Sequence, residues 1–197
     1  MKNIMFCSAL ASILSGCAVM YKEPTGAEAT AKLRYTQEET SSYWTQIRRY
    51  DQVACKPIDT LGYVISPGRY DGDIDKNRIG MPNSVAPRQG ILERVIPANA
   101  PFATLVLTGY ETSFLDLMGA GYGGLAHKAS AACNLPVFTP ERDKQYELSI
   151  NPGIRACEVK LYVLDQGANG KTIKTDITSQ QKVFQDAIQV FQGKCSR

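Results

Sequence analysis

The chain has 197 residues, of which 44% are apolar, with 22 basic and 19 acidic side chains and a formal net charge of +3. That length is ample for one hydrophobic core, and a charge so near balance argues against nucleic acid or acidic lipid as the main partner. A single histidine and the lack of any Cys-x-x-Cys pair leave little from which to build a transition-metal site.

The first element reads as an export address. Lys2 precedes an apolar run over 4–14, about the length of a signal-peptide core and too short to remain as a membrane-spanning helix. The run ends in Leu14-Ser15-Gly16-Cys17. Here the chain resembles the bacterial lipoprotein family, whose lipobox is Leu, two small residues and an obligatory Cys. The resemblance implies cleavage after Gly16 and acylation of Cys17. More than one acyl chain gives stable attachment, whereas a single chain binds marginally. Ala18, where Asp would favour retention at the inner membrane, implies the outer membrane, and we expect its periplasmic face. The expected organisation is a signal peptide over 1–16, a lipidated tether over 17–28 containing Pro24 and Gly26, and a domain over 29–197. No second apolar run approaches the roughly 20 residues of a transmembrane helix.

Within the domain, 29–35 alternates through Ala31, Leu33 and Tyr35, and 43–49 through Tyr43, Thr45 and Ile47. Both patterns predict half-buried strands, with a turn over 37–42 between them. Further strands are predicted over 63–66 and 90–96, separated by a stretch with Pro67, Gly68, Gly72, Gly80, Pro82 and Pro87 that reads as an irregular excursion. Pro101 opens a β-branched, apolar strand over 102–108, and the same signal returns over 131–138, 145–151 and 156–164. In the tail, Val183, Phe184, Ala187, Ile188 and Phe191 recur at three- and four-residue spacing before Gly193, which favours an amphipathic helix over a final strand.

Short strands, Gly- and Pro-containing turns and one C-terminal helix together predict an antiparallel β-sandwich, with a closed barrel as second choice. Val95-Ile96-Pro97-Ala98, Cys133, Phe138-Thr139-Pro140, Tyr146-Glu147-Leu148 and Cys157-Glu158-Val159 are similar to small immunoglobulin- or transthyretin-like envelope lipoproteins. That resemblance spans 29–165 and bears on fold rather than activity. Of the six cysteines, Cys7 leaves with the signal and Cys17 is taken by lipid. The remaining four, Cys55, Cys133, Cys157 and Cys195, read as two disulfides in an oxidising compartment. Three pairings are possible. The favoured one joins Cys133 with Cys157 across neighbouring strands, and Cys55 with Cys195.

Asp71, Asp73, Asp75 and Asn77 place oxygen ligands at alternate positions, as calcium loops do. Lys76 stands where such a loop needs Gly, and Pro82 where it needs the bidentate Glu, so a solvated acidic turn is the preferred reading. The glycine-rich run over 119–124 lacks the Lys and Ser/Thr of a phosphate loop. With Tyr122 and Gly123 at its centre it reads instead as a contact loop. His127, with Ser130 or Asp116 as partner, lacks a nucleophile elbow. The carboxylate pairs Glu111 with Asp116 and Glu141 with Asp143 have spacings common to any domain. Trp44, with Tyr43, Tyr50, Tyr63 and Tyr70, suits sheet packing first and a stacking platform for glycan or peptide second.

The expectation is therefore a non-enzymatic envelope lipoprotein without a cofactor, joined to the membrane through lipid on Cys17 and contacting another envelope protein but not nucleic acid. A glycan- or small-ligand-binding module and an inhibitor of a hydrolase such as lysozyme are the alternatives.

Overall fold

The computed structural model describes residues 19–26, 28–37, 43–51, 56–65, 78–82, 90–110, 129–133, 135–152 and 157–184. In chain order the strands are β1 (Thr30–Gln37), β2 (Tyr43–Asp51), β3 (Lys56–Ile65), β4 (Gly90–Pro97), β5 (Phe102–Tyr110) and β6 (Ala129–Ala132). They continue with β7 (Leu135–Phe138), β8 (Gln145–Pro152), β9 (Cys157–Gln166), β10 (Thr172–Asp176) and β11 (Lys182–Phe184).

These strands form two sheets. One runs β10-β9-β8-β1-β4, and the other β11-β7-β5-β2-β3 with β6 also on β5. All pairings are antiparallel except β1 with β8. The expected layered β architecture is present, and each sheet keeps two separate edges among the described residues instead of closing into a barrel. β1 and β2 belong to different sheets and do not pair with each other; the turn expected over 37–42 lies, beyond Gln37, outside the described residues.

The period-two pattern explains the core. Ala31, Leu33 and Tyr35 of β1, Tyr146, Leu148 and Ile150 of β8 and Ile47 of β2 are buried on this alternation, whereas β5, covered on both faces, buries the adjacent Leu105 and Val106 alike. They form one hydrophobic cluster with Leu61, Leu92, Ile96 and Leu161. Pro57 and Pro97 lie on β3 and β4, which are edge strands, where a missing N–H is tolerated. β3 packs on β4 at one open side of the sandwich, and β7 packs on β9 towards the other.

Cys133 is joined to Cys157, with Cα atoms 5.0 Å apart and both residues buried in the core cluster. The geometry differs from a link across neighbouring strands. Cys133 follows β6 in one sheet and Cys157 opens β9 in the other, so the bond staples the two layers together. Cys55 and Cys195 lie outside the described residues.

The helix expected from Val183 onward does not begin there. Lys182, Val183 and Phe184 pair as β11 with Val137, Pro136 and Leu135 of β7. The local three-and-four spacing is overridden because an edge of the second sheet offers these residues ladder hydrogen bonds. The remainder of the proposed helix lies outside the described residues. The nearest helical feature is a single 3₁₀ turn, Thr178–Gln180, which leads from β10 to β11. β10 itself was not expected. Thr172, Ile173 and Thr175 are β-branched and follow a Gly167 to Gly170 turn, a strand signal that the sequence does carry.

Candidate functional site

The open side formed by β3 and β4 carries a built-up arrangement of backbone and side-chain bonds. Residues 19–21, within the span expected to be tether, lie along β3. Thr60 N–H donates to the Val19 carbonyl at 2.9 Å, and Tyr21 N–H donates to the Thr60 carbonyl at 2.9 Å. Met20 and Thr60 thus form a parallel bridge. The Tyr21 side chain then crosses the seam, and its hydroxyl donates to the Val95 carbonyl of β4 at 2.9 Å. A segment of three residues is in this way bonded to one edge strand of each sheet.

Charged groups surround this strap. The Arg49 guanidinium lies 5.3 Å from the Tyr21 ring centre, and its Nη2 donates to Asp59 Oδ2 at 2.6 Å. Such a cation over an aromatic face is attracted by the ring quadrupole. Burial pushes the Tyr21 phenol up to about 12, with the nearby Arg49 acting in the opposite direction. Arg94 of β4 donates through Nε to the Leu61 carbonyl at 2.9 Å, and burial holds its guanidinium below its usual range. Gly62 permits this close approach of β3 to β4: its φ is +148°, and a Cβ there would stand 2.9 Å from Leu92 Cδ1.

A second constellation crosses the opposite face of the five-stranded sheet. Arg34 of β1 is directly opposite Glu93 of β4 and Glu147 of β8. It donates to Glu93 Oε1 through Nε at 2.9 Å and Nη2 at 2.7 Å, and to Glu147 Oε2 through Nη1 at 3.4 Å. Lys174 of β10 reaches back to Glu147 Oε1 at 2.6 Å. The backbone N–H groups of Ile79 and Met81 donate to Glu93 Oε2 at 2.7 and 3.4 Å. Arg34, Glu93 and Glu147 are each almost wholly buried, so these opposite charges hold one another in register beneath residues 78–82. Sequence reading places Lys32, Arg34 and Thr36 on a polar face. It has no means of seeing that a distant segment covers that face.

The third feature is the free edge of the same sheet. β10 lies at the far end from β4 and pairs with β9 alone among the described residues. Ile173 on it is 53% exposed. At the end of the strand, Asp176 Oδ1 accepts from Thr178 N–H at 2.9 Å, and these Thr178 contacts hold its carboxyl below the usual range.

Among the described residues, those singled out in the sequence are not drawn into one site. Trp44 lies on β2, between Ile65 of β3 and Gly109 of β5. Tyr50 is buried in the core, whereas Tyr63 is exposed and its hydroxyl accepts from Gln46 Nε2 at 2.7 Å. These two tyrosines therefore do not share a stacking surface. Glu141 and Asp143 occupy the exposed turn before β8, where Asp143 N–H donates to the Thr30 carbonyl at 2.8 Å. A depression of about 370 Å³ beside that turn is lined mainly by exposed charged side chains, among them Arg142, Lys144 and Asp165. Cys17, Tyr70, Asp71, Asp73, Asp75, Asn77, Glu111, Asp116, Tyr122, Gly123 and His127 lie outside the described residues.

No family model matches the chain, and comparison with curated proteins found no match. The functional reading therefore rests on the residues themselves.

Proposed function

We propose that this chain is a lipid-anchored envelope protein, held to the outer membrane through Cys17, whose β-sandwich acts as a protein-interaction module. The surface we assign to the partner is the outer edge of β10. The observation that carries this reading is the position of that strand: it pairs with β9 alone among the described residues, and its Ile173 side chain is exposed. An edge strand presents N–H and C=O groups that an incoming strand can pair, with alternate side chains giving specificity.

The sheet order supports an outward-facing contact. Four strand spacings, about 19 Å, separate β10 from β4 and the strapped side that follows position 17. A partner on β10 would thus meet the sandwich on the side away from its anchor. Lys171 and Lys174 flank Ile173 and oppose uncontrolled edge-to-edge association. The test is a photocrosslinking amino acid placed at Ile173 in growing cells, with the exposed Glu158 position as control. One recurrent envelope protein captured from Ile173 alone is the expected result. Equal capture from both positions, or none from either, would refute the assignment.

A further inference from the structure

We propose that Val19, Met20 and Ile58 form a membrane-contacting edge, seated in the headgroup layer of the bilayer that holds Cys17. The proposal rests on the acylation of Cys17 put forward above. It adds that the domain lies against the lipid surface in a defined orientation instead of swinging on a leash.

The first observation is where apolar surface is exposed. Val19 is 66%, Met20 55% and Ile58 43% exposed, and all three sit on the strap or on the stretch of β3 beside it. The second is that the strap is fixed. Thr60 binds it through both its N–H and its carbonyl, and Tyr21 is bonded to Val95 on the other sheet. The orientation of the sandwich relative to residue 19 is therefore set by hydrogen bonds.

The third is reach. Only Ala18 separates Cys17 from Val19, and a fully extended chain covers at most about 7 Å over those two residue steps. The polar layer on each side of a bilayer is about 5–8 Å thick. With acyl chains on Cys17 in the hydrocarbon region, Val19 is confined to the headgroup layer or its surface. Met20 and Ile58 follow because the bridge to Thr60 holds them to the same edge. Lys22 and Lys56, exposed nearby, suit anionic headgroups, with Glu23 as an opposing charge.

The experiment uses the full-length protein extracted from membranes and reconstituted in phosphatidylethanolamine–phosphatidylglycerol vesicles carrying acyl chains brominated near the headgroup. Tryptophan is introduced singly as Met20→Trp, Ile58→Trp and, on the far edge, Ile173→Trp. The signal of Trp44, the one tryptophan of the parent chain, is subtracted. Intact mass reports acylation of each sample, and a thermal melt reports folding. The two near-edge tryptophans should be quenched at least about twofold more strongly than the one at position 173, as expected for side chains within the interface. If mass confirms acylation and all positions are quenched alike, the contact edge is refuted while the anchor stands. If mass shows no acyl group, the anchor and the contact edge fall together. Should Met20→Trp disturb the strap, Ile58→Trp on β3 decides alone.

Discussion

The hydroxyl of Tyr21 bonds to the carbonyl of Val95, 74 residues further along the chain, at 2.9 Å. Because the Tyr21 N–H is at the same time bonded to Thr60, this residue links the edges of both sheets. A segment that by composition is a spacer thus becomes part of the sandwich wall. It covers one side of the fold where two strand edges would otherwise be open, an arrangement that also guards against edge-to-edge pairing.

Tyr21→Phe is expected to destabilise the protein by about 0.5–1.5 kcal/mol, the net worth of one hydrogen bond. Urea denaturation measures it. The loss should be local at first: native-state hydrogen exchange at the Thr60 amide, which is bonded to Val19, should accelerate more than exchange in β5.

The same residue sets an alkaline limit. Its phenol is raised by burial from 10.0 to about 12, so the folded state holds the proton more tightly than the unfolded chain. The stabilisation is complete below about pH 10 and is lost as pH rises towards about 12. Denaturation midpoints across that window should fall more steeply for the parent than for Tyr21→Phe. Tyr35, also shifted upward chiefly by burial, is present in both proteins, so the difference between them reports Tyr21 together with its smaller electrostatic effect on Tyr35.

Arg34→Met should cost about 3–5 kcal/mol, because it leaves the buried Glu93 and Glu147 carboxylates without their shared cation. Adding Glu93→Gln to Arg34→Met should recover part of that loss, since one buried negative charge is removed along with the positive one. Chemical denaturation of the single and double variants measures the coupling. Equal stability of the two would show that the pair contributes no charge-specific effect.

Loss of the inter-sheet bond, by Cys133→Ala with Cys157→Ala, should destabilise the fold by about 3.5 kcal/mol in the loop-entropy model for a 24-residue separation. Denaturation with and without reductant checks it. The parent should respond to reductant, whereas the double variant should show no response traceable to this bond.

Gly62→Ala is expected to cost about 1–3 kcal/mol, through both a strained backbone at positive φ and overlap with Leu92 and Arg94 on the opposing sheet. A melting curve measures it. Gly170→Ala, where φ is also positive but no atom lies within 4 Å, separates the two causes by retaining the strain alone.

The legible parts of the fold are those where apolar and polar residues alternate. Ala31, Leu33 and Tyr35 announced β1, and Val159 and Leu161 announced β9, because one face of each strand is buried against the other sheet. β3 was seen only at its end, since register shifts between Ile47 and Arg48 and between Arg49 and Tyr50 on its partner break the period over Lys56–Gly62. At Val183 and Phe184 a helical spacing was read where pairing with β7 makes a strand. The candidate sites were less visible still. Arg34, not singled out in the sequence, proves buried, and the strap at 19–21 falls in the span read as tether.

By itself the sequence determined the alternation that commits the chain to stacked sheets. It also supplied the cysteine pair that joins them and the apolar run ending in Leu14-Ser15-Gly16-Cys17 on which the proposed anchor rests. Which strands are neighbours, that Cys133 and Cys157 lie on opposite layers, and that Tyr21 closes the side between β3 and β4 were decided only in three dimensions. The reason is physical. A strand's period reports whether one of its faces is buried, but the groups that bury it, and the partners of its edge hydrogen bonds, come from segments tens of residues away that leave no mark on the local pattern.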